Sequence, residues 1–123
     1  MHAVIETPTY LRSAKAAGMA SEEMAGAIEL VSRHPQIGDL IEGTGGARKV
    51  RLAGRGKGKS GGYRVITYYA DEDTPVFMLD VYSKGEKANL TKAERNEFRA
   101  ILSALSGEYR ESVAVHARRR LQR

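Results

Sequence analysis

Hydrophobic residues follow a helical repeat in the first third of the chain and an alternating repeat in its middle. A short apolar segment near residues 3 to 5 predicts a strand, and residues 8 to 18 predict a first helix. A second helix is predicted to begin with Ser21 as its capping residue and to end near His34. Its end is expected there because Pro35 cannot continue the helical hydrogen-bond ladder and restricts the residue before it.

The alternating part of the chain predicts three strands, near residues 47 to 53, 62 to 70 and 76 to 83. The connections between them are short, which favours consecutive antiparallel hairpins over crossover connections. Residues 35 to 46 are rich in glycine and are predicted to form an extended loop before the first of these strands.

A third helix is predicted after the last strand, because Thr91 and Glu94 form a Thr-x-x-Glu capping box followed by an apolar stripe. The predicted order is therefore β-α-α-β-β-β-α. It indicates a small α+β domain in which an antiparallel sheet packs against two N-terminal helices, with one C-terminal helix. We expect this domain to cover residues 1 to 105 and a basic tail to cover residues 106 to 123.

Positive charge is concentrated in two segments of the chain. There are 20 Lys and Arg against 15 Asp and Glu, yet residues 43 to 70 contain seven cations and no acid. The tail adds five arginines against two glutamates. A positive surface on an otherwise acidic body is typical of a polyanion-binding protein, although a solubilising sheet edge is the alternative. The seven cations are Arg48, Lys49, Arg51, Arg55, Lys57, Lys59 and Arg64.

Composition excludes several functional classes. The chain has no cysteine, which excludes disulfides, thiolate metal sites and a cysteine nucleophile. Its three histidines are scattered, so we expect no metal site and no cofactor. No apolar run approaches the roughly 20 residues that span a bilayer, and the N-terminus lacks a signal-peptide pattern. We therefore expect a cytoplasmic protein with no membrane partner.

The order of elements, together with GTGGARKVRLAGRGKGKSGGYRVITYY and VYSKGEKANLTKAE, resembles the RelE/HigB family of bacterial toxins. The similarity is greatest to the HigB-like branch, which carries a long basic loop between its first two hairpin strands. It covers about residues 3 to 105. The resemblance implies an endoribonuclease that cleaves messenger RNA on the ribosome, without a metal, and inhibits translation. It also implies a cognate antitoxin, which we expect to be a helix-turn-helix protein.

The family pattern carries over onto four basic residues as candidate catalytic groups: Lys49, Arg51, Arg64 and Lys84. Lys49 and Arg51 share a strand face, and antiparallel pairing is expected to bring the other two beside them. Cations there would stabilise the charge that develops when a ribose 2′-hydroxyl attacks the adjacent phosphate. Crowded cations lower a lysine's pKa, so Lys49 is the candidate general base. Arg51 and Arg64 would hold the phosphate, and Lys84 would assist the leaving oxygen.

Contacts to the RNA backbone are assigned to Arg48, Arg55, Lys57 and Lys59. Some relatives have a base-stacking tyrosine soon after the last strand, and this sequence has no tyrosine between residues 83 and 108. Tyr82 has two interpretations, as the ring that stacks on a base or as a sheet residue packed under the C-terminal helix. Asp80 is expected to be a structural ion-pair partner of the neighbouring cations.

Two other functional classes remain open. A ParE-like toxin would share the fold but inhibit DNA gyrase by protein contact, and it would not need a phosphate-binding cluster. A noncatalytic RNA-binding domain would lose affinity evenly as single cations are removed.

Overall fold

A computed structural model describes residues 1–54, 62–86 and 89–105 of the chain. Five strands and three helices form the α+β fold that the sequence predicts, which is confirmed. The predicted tail, residues 106–123, lies outside the described residues. In chain order the elements are β1 (Val4–Glu6), α1 (Pro8–Ala16), α2 (Ser21–Arg33), β2 (Asp39–Leu40), β3 (Ala47–Leu52), β4 (Tyr63–Tyr68), β5 (Val76–Ser83) and α3 (residues 92–105).

The strands form one sheet with the order β1-β5-β4-β3-β2. The three long strands pair antiparallel through consecutive hairpins, as their alternation predicts. Two details differ from expectation. Strand β1 pairs parallel with β5, so the sheet is mixed, and the predicted loop over residues 35 to 46 contains the two-residue edge strand β2.

The N-termini of the first two helices are stabilised by side chains that accept hydrogen bonds from backbone amides. The Thr7 hydroxyl accepts a hydrogen bond from the Tyr10 amide at 3.3 Å and so caps α1. For α2 the prediction of Ser21 as the cap is wrong by one residue, because the helix starts after Ala20. The Glu23 carboxylate accepts the Ala20 amide proton at 2.8 Å and satisfies that end of the helix.

The predicted capping box of α3 is confirmed. The Thr91 amide donates to Glu94 Oε1 at 2.9 Å, and the Glu94 amide donates back to the Thr91 hydroxyl at 3.1 Å. The start of α3 is therefore satisfied by its own residues.

The sheet has an apolar cluster on each face. Helices α1 and α2 cover one face, where Tyr10, Val31, Val50, Val65 and Met78 are buried together. Helix α3 covers the other face, where Ile66, Phe77, Tyr82 and Leu102 are buried together. We call these the α1/α2 face and the α3 face. The second matters most for function, because the candidate catalytic residues of β3 and β4 lie on it.

Candidate active site

A row of three residues crosses the sheet on the α3 face. Arg51 of β3 lies directly opposite Arg64 of β4, and Arg64 lies directly opposite Tyr82 of β5. Lys49 lies two residues before Arg51 on the same face, opposite Ile66. The antiparallel register thus brings Lys49, Arg51 and Arg64 together, as the spacing in the sequence indicates.

A β-bulge in β5 decides that Tyr82 belongs to this row. Thr67 pairs with Met78 and Ile66 pairs with Asp80, so Leu79 is an extra residue between them. Strict alternation would place Tyr82 on the same face as Met78, which is buried on the α1/α2 face. The extra residue reverses the alternation and turns Tyr82 to the α3 face, opposite Arg64.

Arg64 is a buried cation, with 6% of its surface exposed. The described residues give its side chain one hydrogen bond, from Nη1 to the Tyr63 carbonyl oxygen at 3.2 Å. Burial of a guanidinium costs free energy unless hydrogen bonds and an opposite charge compensate it. Within residues 1–54, 62–86 and 89–105 no carboxylate forms an ion pair with it. Its environment therefore favours an anion supplied from outside.

Asp80 does not pair with the described cations Lys49, Arg51 and Arg64. Its Oδ1 instead accepts a hydrogen bond from the Val81 amide at 2.8 Å, beside the bulge. In the described part of the chain, the ion pair that forms is between Arg33 and Glu29 of α2, on the opposite side of the sheet. The prediction that Asp80 is an ion-pair partner is therefore wrong for the described cations, since its carboxylate instead accepts the Val81 amide proton. For Arg55, Lys57 and Lys59, which lie outside the described residues, it stays a prediction.

Lys49 is held by a residue that the sequence did not single out. Its Nζ donates a hydrogen bond to Oδ1 of Asn89 at 3.1 Å, and Asn89 lies just before α3. An amide oxygen orients the ammonium group without neutralising its charge. The sequence cannot indicate that Asn89 orients Lys49, because the two residues are 40 positions apart.

Lys84 lies at the rim of the site. It is exposed and directly follows β5, and its amide donates to the Gly62 carbonyl oxygen at 3.0 Å. This bond extends the pairing of β4 and β5 by one position. Gly62 must lack a side chain, because a Cβ there would collide with the Leu52 carbonyl oxygen of β3. The glycine therefore lets three strand ends meet next to Arg64.

The candidates for RNA-backbone contact are not all beside this site. Arg48 lies on the α1/α2 face, since its neighbour Val50 two residues on is buried there, and its Nη1 donates to the Gly38 carbonyl at 3.2 Å. The structure therefore does not bring Arg48 together with Lys49 and Arg51. Arg55, Lys57 and Lys59 lie outside the described residues.

Tyr82 is 3% exposed and packs in the apolar cluster that includes Leu90 and Leu102. This position agrees with the interpretation of a sheet residue beneath the C-terminal helix. Stacking of Tyr82 on a base stays a prediction, and it would require access to a ring that α3 and its leading segment cover.

Strand β4 is anchored from its other face by Tyr63. The Tyr63 hydroxyl donates to Glu23 Oε1 of α2 at 3.4 Å. Burial, together with the nearby Glu23 carboxylate, raises the pKa of Tyr63 above its usual value. The phenol thus stays protonated and joins α2 to the strand that carries Arg64.

The arrangement can bind a phosphate and stabilise charge on it. Two arginines occupy opposed positions on neighbouring strands, and a lysine held by an amide lies two residues along β3. Such donors favour an oxyanion over a neutral ligand, and the forked guanidinium group of arginine matches phosphate geometry.

Among the described residues, no helix has the length and hydrophobicity of a membrane-spanning segment.

Comparisons with known proteins gave one family match and one similar solved structure. A family model described as "RelE toxin of RelE / RelB toxin-antitoxin system" matches residues 2–120. Among solved structures, a double arginine-to-alanine mutant of E. coli toxin RelE in the free state is similar, with 22% sequence identity and a TM-score of 0.49. The match covers 65% of this chain and 80% of that chain.

Proposed function

The chain belongs to the RelE toxin family of RelE/RelB toxin–antitoxin systems, and from that premise we propose that it is a ribosome-dependent messenger-RNA endoribonuclease. It would cleave by attack of a ribose 2′-hydroxyl on the adjacent phosphate and so inhibit translation. The proposal includes membership of the HigB-like branch, whose long basic loop corresponds here to residues 54 to 61.

One observation carries this proposal. Arg64 is buried on the α3 face without a described carboxylate partner, and it lies directly opposite Arg51. Two like charges at opposed positions destabilise a sheet, so the arrangement has no benefit for the fold alone. A phosphate between the two guanidinium groups would compensate both charges. Preorganised cations of this kind stabilise the charge that develops in phosphoryl transfer.

The proposed reaction conserves all atoms of the RNA. The 2′-hydroxyl loses its proton, its oxygen bonds to phosphorus, and the bond from phosphorus to the 5′-oxygen breaks. The leaving 5′-oxygen takes up a proton, and the products are a 2′,3′-cyclic phosphate and a 5′-hydroxyl. Arg51 and Arg64 hold the phosphate, Lys49 is the general base that accepts the first proton, and Lys84 assists the leaving oxygen.

The family implies an antitoxin partner. We propose that a helix-turn-helix antitoxin binds the basic α3-face residues Arg51 and Lys84, which are exposed, and blocks phosphate entry. The ribosome would supply positioning of the messenger RNA, since the row contains no histidine or glutamate for conventional acid–base chemistry. Because ribosomes translate in the cytoplasm, we propose that the protein acts there.

Primer-extension mapping of messenger RNA in a translating extract tests the proposal. The samples are wild type, Arg64→Ala, the control Arg33→Ala, and wild type with naked RNA. Arg33 is an exposed cation on α2, on the opposite side of the sheet. We expect ribosome-dependent cuts with wild type and Arg33→Ala, and a loss of about 10²–10³-fold in cleavage rate with Arg64→Ala.

Other outcomes would direct the function elsewhere. Intact messenger RNA with folded wild-type protein would contradict the endoribonuclease and lead next to a gyrase supercoiling assay for the ParE-like alternative. Equal, modest losses for all single cation variants, without a sharp loss at Arg64, would favour a noncatalytic RNA-binding domain.

A further inference from the structure

Helix α3 carries opposite charges on its two flanks. On one flank, Glu97 lines a groove together with Asp80 and residues of α1. On the other flank, Arg95 and Arg99 lie over the glycine-rich loop of residues 43–46. A Cβ built on Gly43 would lie 3.9 Å from Cδ of Arg95, and one built on Gly45 would lie 3.9 Å from Cγ of Arg99. We call Arg95 and Arg99 the basic flank.

The basic flank lies next to the candidate active site. The glycine-rich loop leads directly into β3 at Ala47, which is buried on the α3 face. Lys49 is two residues further along the same face, and its Nζ reaches Asn89 at the start of the segment that leads into α3. The loop that the basic flank covers is therefore continuous in the chain with the strand that carries Lys49, and the segment before α3 contacts Lys49 directly.

Among the described residues, no carboxylate forms an ion pair with the basic flank. Arg99 is exposed, and neither arginine forms an ion pair within the described ranges. The Nε atom of Arg95 is buried and has no hydrogen-bond partner among those residues. Because Arg99 is exposed, its charge is accessible to an oxyanion from solution, and Arg95 adds positive charge beside it.

We propose that Arg95 and Arg99 form a second phosphate-binding position, which holds the RNA backbone next to the phosphate at Arg51 and Arg64. The two arginines are one helical turn apart, about 6 Å along the axis, so they can contact one phosphate or two successive ones. Contacts to phosphate position a nucleic acid without reading its sequence. The inference rests on the proposed function, and it adds a surface that orients the strand rather than a catalytic group.

The test measures RNA binding as a function of salt concentration. Arg99→Ala and Arg99→Gln remove the charge, Arg99→Lys keeps it, and Arg33→Ala is a matched control on α2. The probes are a single-stranded RNA oligonucleotide with 2′-O-methyl groups, which cannot be cleaved by 2′-hydroxyl attack, and ribosomes carrying that oligonucleotide. Circular dichroism checks that each variant is folded.

We expect Arg99→Ala and Arg99→Gln to weaken binding and to reduce the salt dependence. The slope of log affinity against log salt should fall in magnitude by about 0.7 for a single-stranded RNA phosphate. Arg99→Lys should retain the wild-type slope, and Arg33→Ala should not change it. An effect with the free oligonucleotide identifies messenger RNA as the source of the phosphate, and an effect with ribosomes alone identifies ribosomal RNA.

An unchanged slope with both probes, in Arg99→Ala and in the double variant Arg95→Ala/Arg99→Ala, would overturn the inference. So would unchanged RNA binding together with weaker binding of the antitoxin, because the flank would then serve an acidic protein partner. Binding is measured on uncleavable RNA, so this result is separate from any failure of wild-type protein to cleave messenger RNA.

Discussion

Arg51 of β3 and Arg64 of β4 occupy directly opposed positions on one face of the sheet. Arg64 is also buried, and within the described residues neither arginine has a carboxylate in an ion pair. Opposed like charges destabilise paired strands, whereas opposite charges or aromatic pairs at such positions stabilise them. The fold therefore loses stability where the proposed chemistry needs positive charge, a trade-off that functional sites often show.

Replacing Arg51 by glutamine should make the protein more stable and less active. Removing one of two opposed charges is expected to raise the free energy of unfolding by about 0.2–1 kcal/mol. Cleavage of ribosome-bound messenger RNA should fall by about 10²–10³-fold. Urea denaturation and primer extension measure the two effects. Arg48→Gln is the comparison for stability on the same strand: it removes a charge on the α1/α2 face and the bond to the Gly38 carbonyl, so it should not become more stable. A destabilised or fully active Arg51→Gln would contradict this explanation.

Tyr82 is expected to contribute mainly to stability. Its ring is buried with Leu90 and Leu102, so Tyr82→Ala should lower the free energy of unfolding by about 3–5 kcal/mol. Tyr82→Phe keeps the ring and should retain cleavage within a few-fold. Thermal unfolding and cleavage assays below the melting temperature separate the two roles. A Tyr82→Ala protein with near-normal stability and abolished cleavage would instead support base stacking.

Two glycines should respond in opposite directions to alanine. At Gly62 the new Cβ would collide with the Leu52 carbonyl, so Gly62→Ala should lower the free energy of unfolding by about 1–3 kcal/mol. At Gly26, inside α2, the Cβ meets nothing within 4 Å, and alanine should raise stability by about 0.5–1 kcal/mol. Chemical denaturation of both variants tests this, and equal effects would show that backbone approach at Gly62 is unimportant.

Tyr10 should make stability depend on alkaline pH. Burial, and secondarily the charge of Glu6, raises the pKa of Tyr10 from 10.0 to about 12. The unfolded chain therefore releases this proton first, so the contribution is complete below pH 10 and is lost as pH rises towards 12. Tyr10→Phe should lack that loss, which the difference between the two stability profiles isolates. Tyr63, whose pKa is also raised, remains in both proteins.

Near neutral pH, Tyr10→Phe should be as stable as wild type or more stable by up to about 1–3 kcal/mol. The Tyr10 hydroxyl is buried and has no hydrogen-bond partner among the described residues. A marked loss of stability in Tyr10→Phe at pH 7 would mean that the hydroxyl is satisfied, for example by water.

Local sequence patterns predict much of this fold because local interactions form it. The capping box at Thr91 depends on two residues three positions apart, and the shared face of Lys49 and Arg51 depends on the two-residue period of a strand. Ser21 has a side chain suited to a cap, but it is the first helical residue, and the Ala20 amide before it is satisfied by Glu23. Sequence patterns place a helix end only to within one or two residues.

The features that cannot be predicted from local sequence patterns depend on contacts between residues that are far apart in the chain. The bulge at Leu79 interrupts a regular alternation without a glycine or any other marker, yet it moves Tyr82 to the opposite face from the one that alternation indicates. The bond between Lys49 and Asn89 and the position of Arg95 over Gly43 both require the packing of α3 on the sheet. The catalytic roles of Lys49, Arg51, Arg64 and Lys84 stay predictions.

The parallel pairing of β1 with β5 has a consequence for the order in which parts of the protein fold during synthesis. His2 at the start of the chain bonds through its ring to the Thr74 carbonyl, 72 residues later, and Val4 pairs with Val76. A contact so distant in sequence forms late, because a long segment of chain must close first. The opposed arginines gain Tyr82 as a neighbour from that same last strand. During synthesis, the complete row can therefore form only after β5, the last described strand in chain order, has emerged from the ribosome, so a chain without β5 lacks this row.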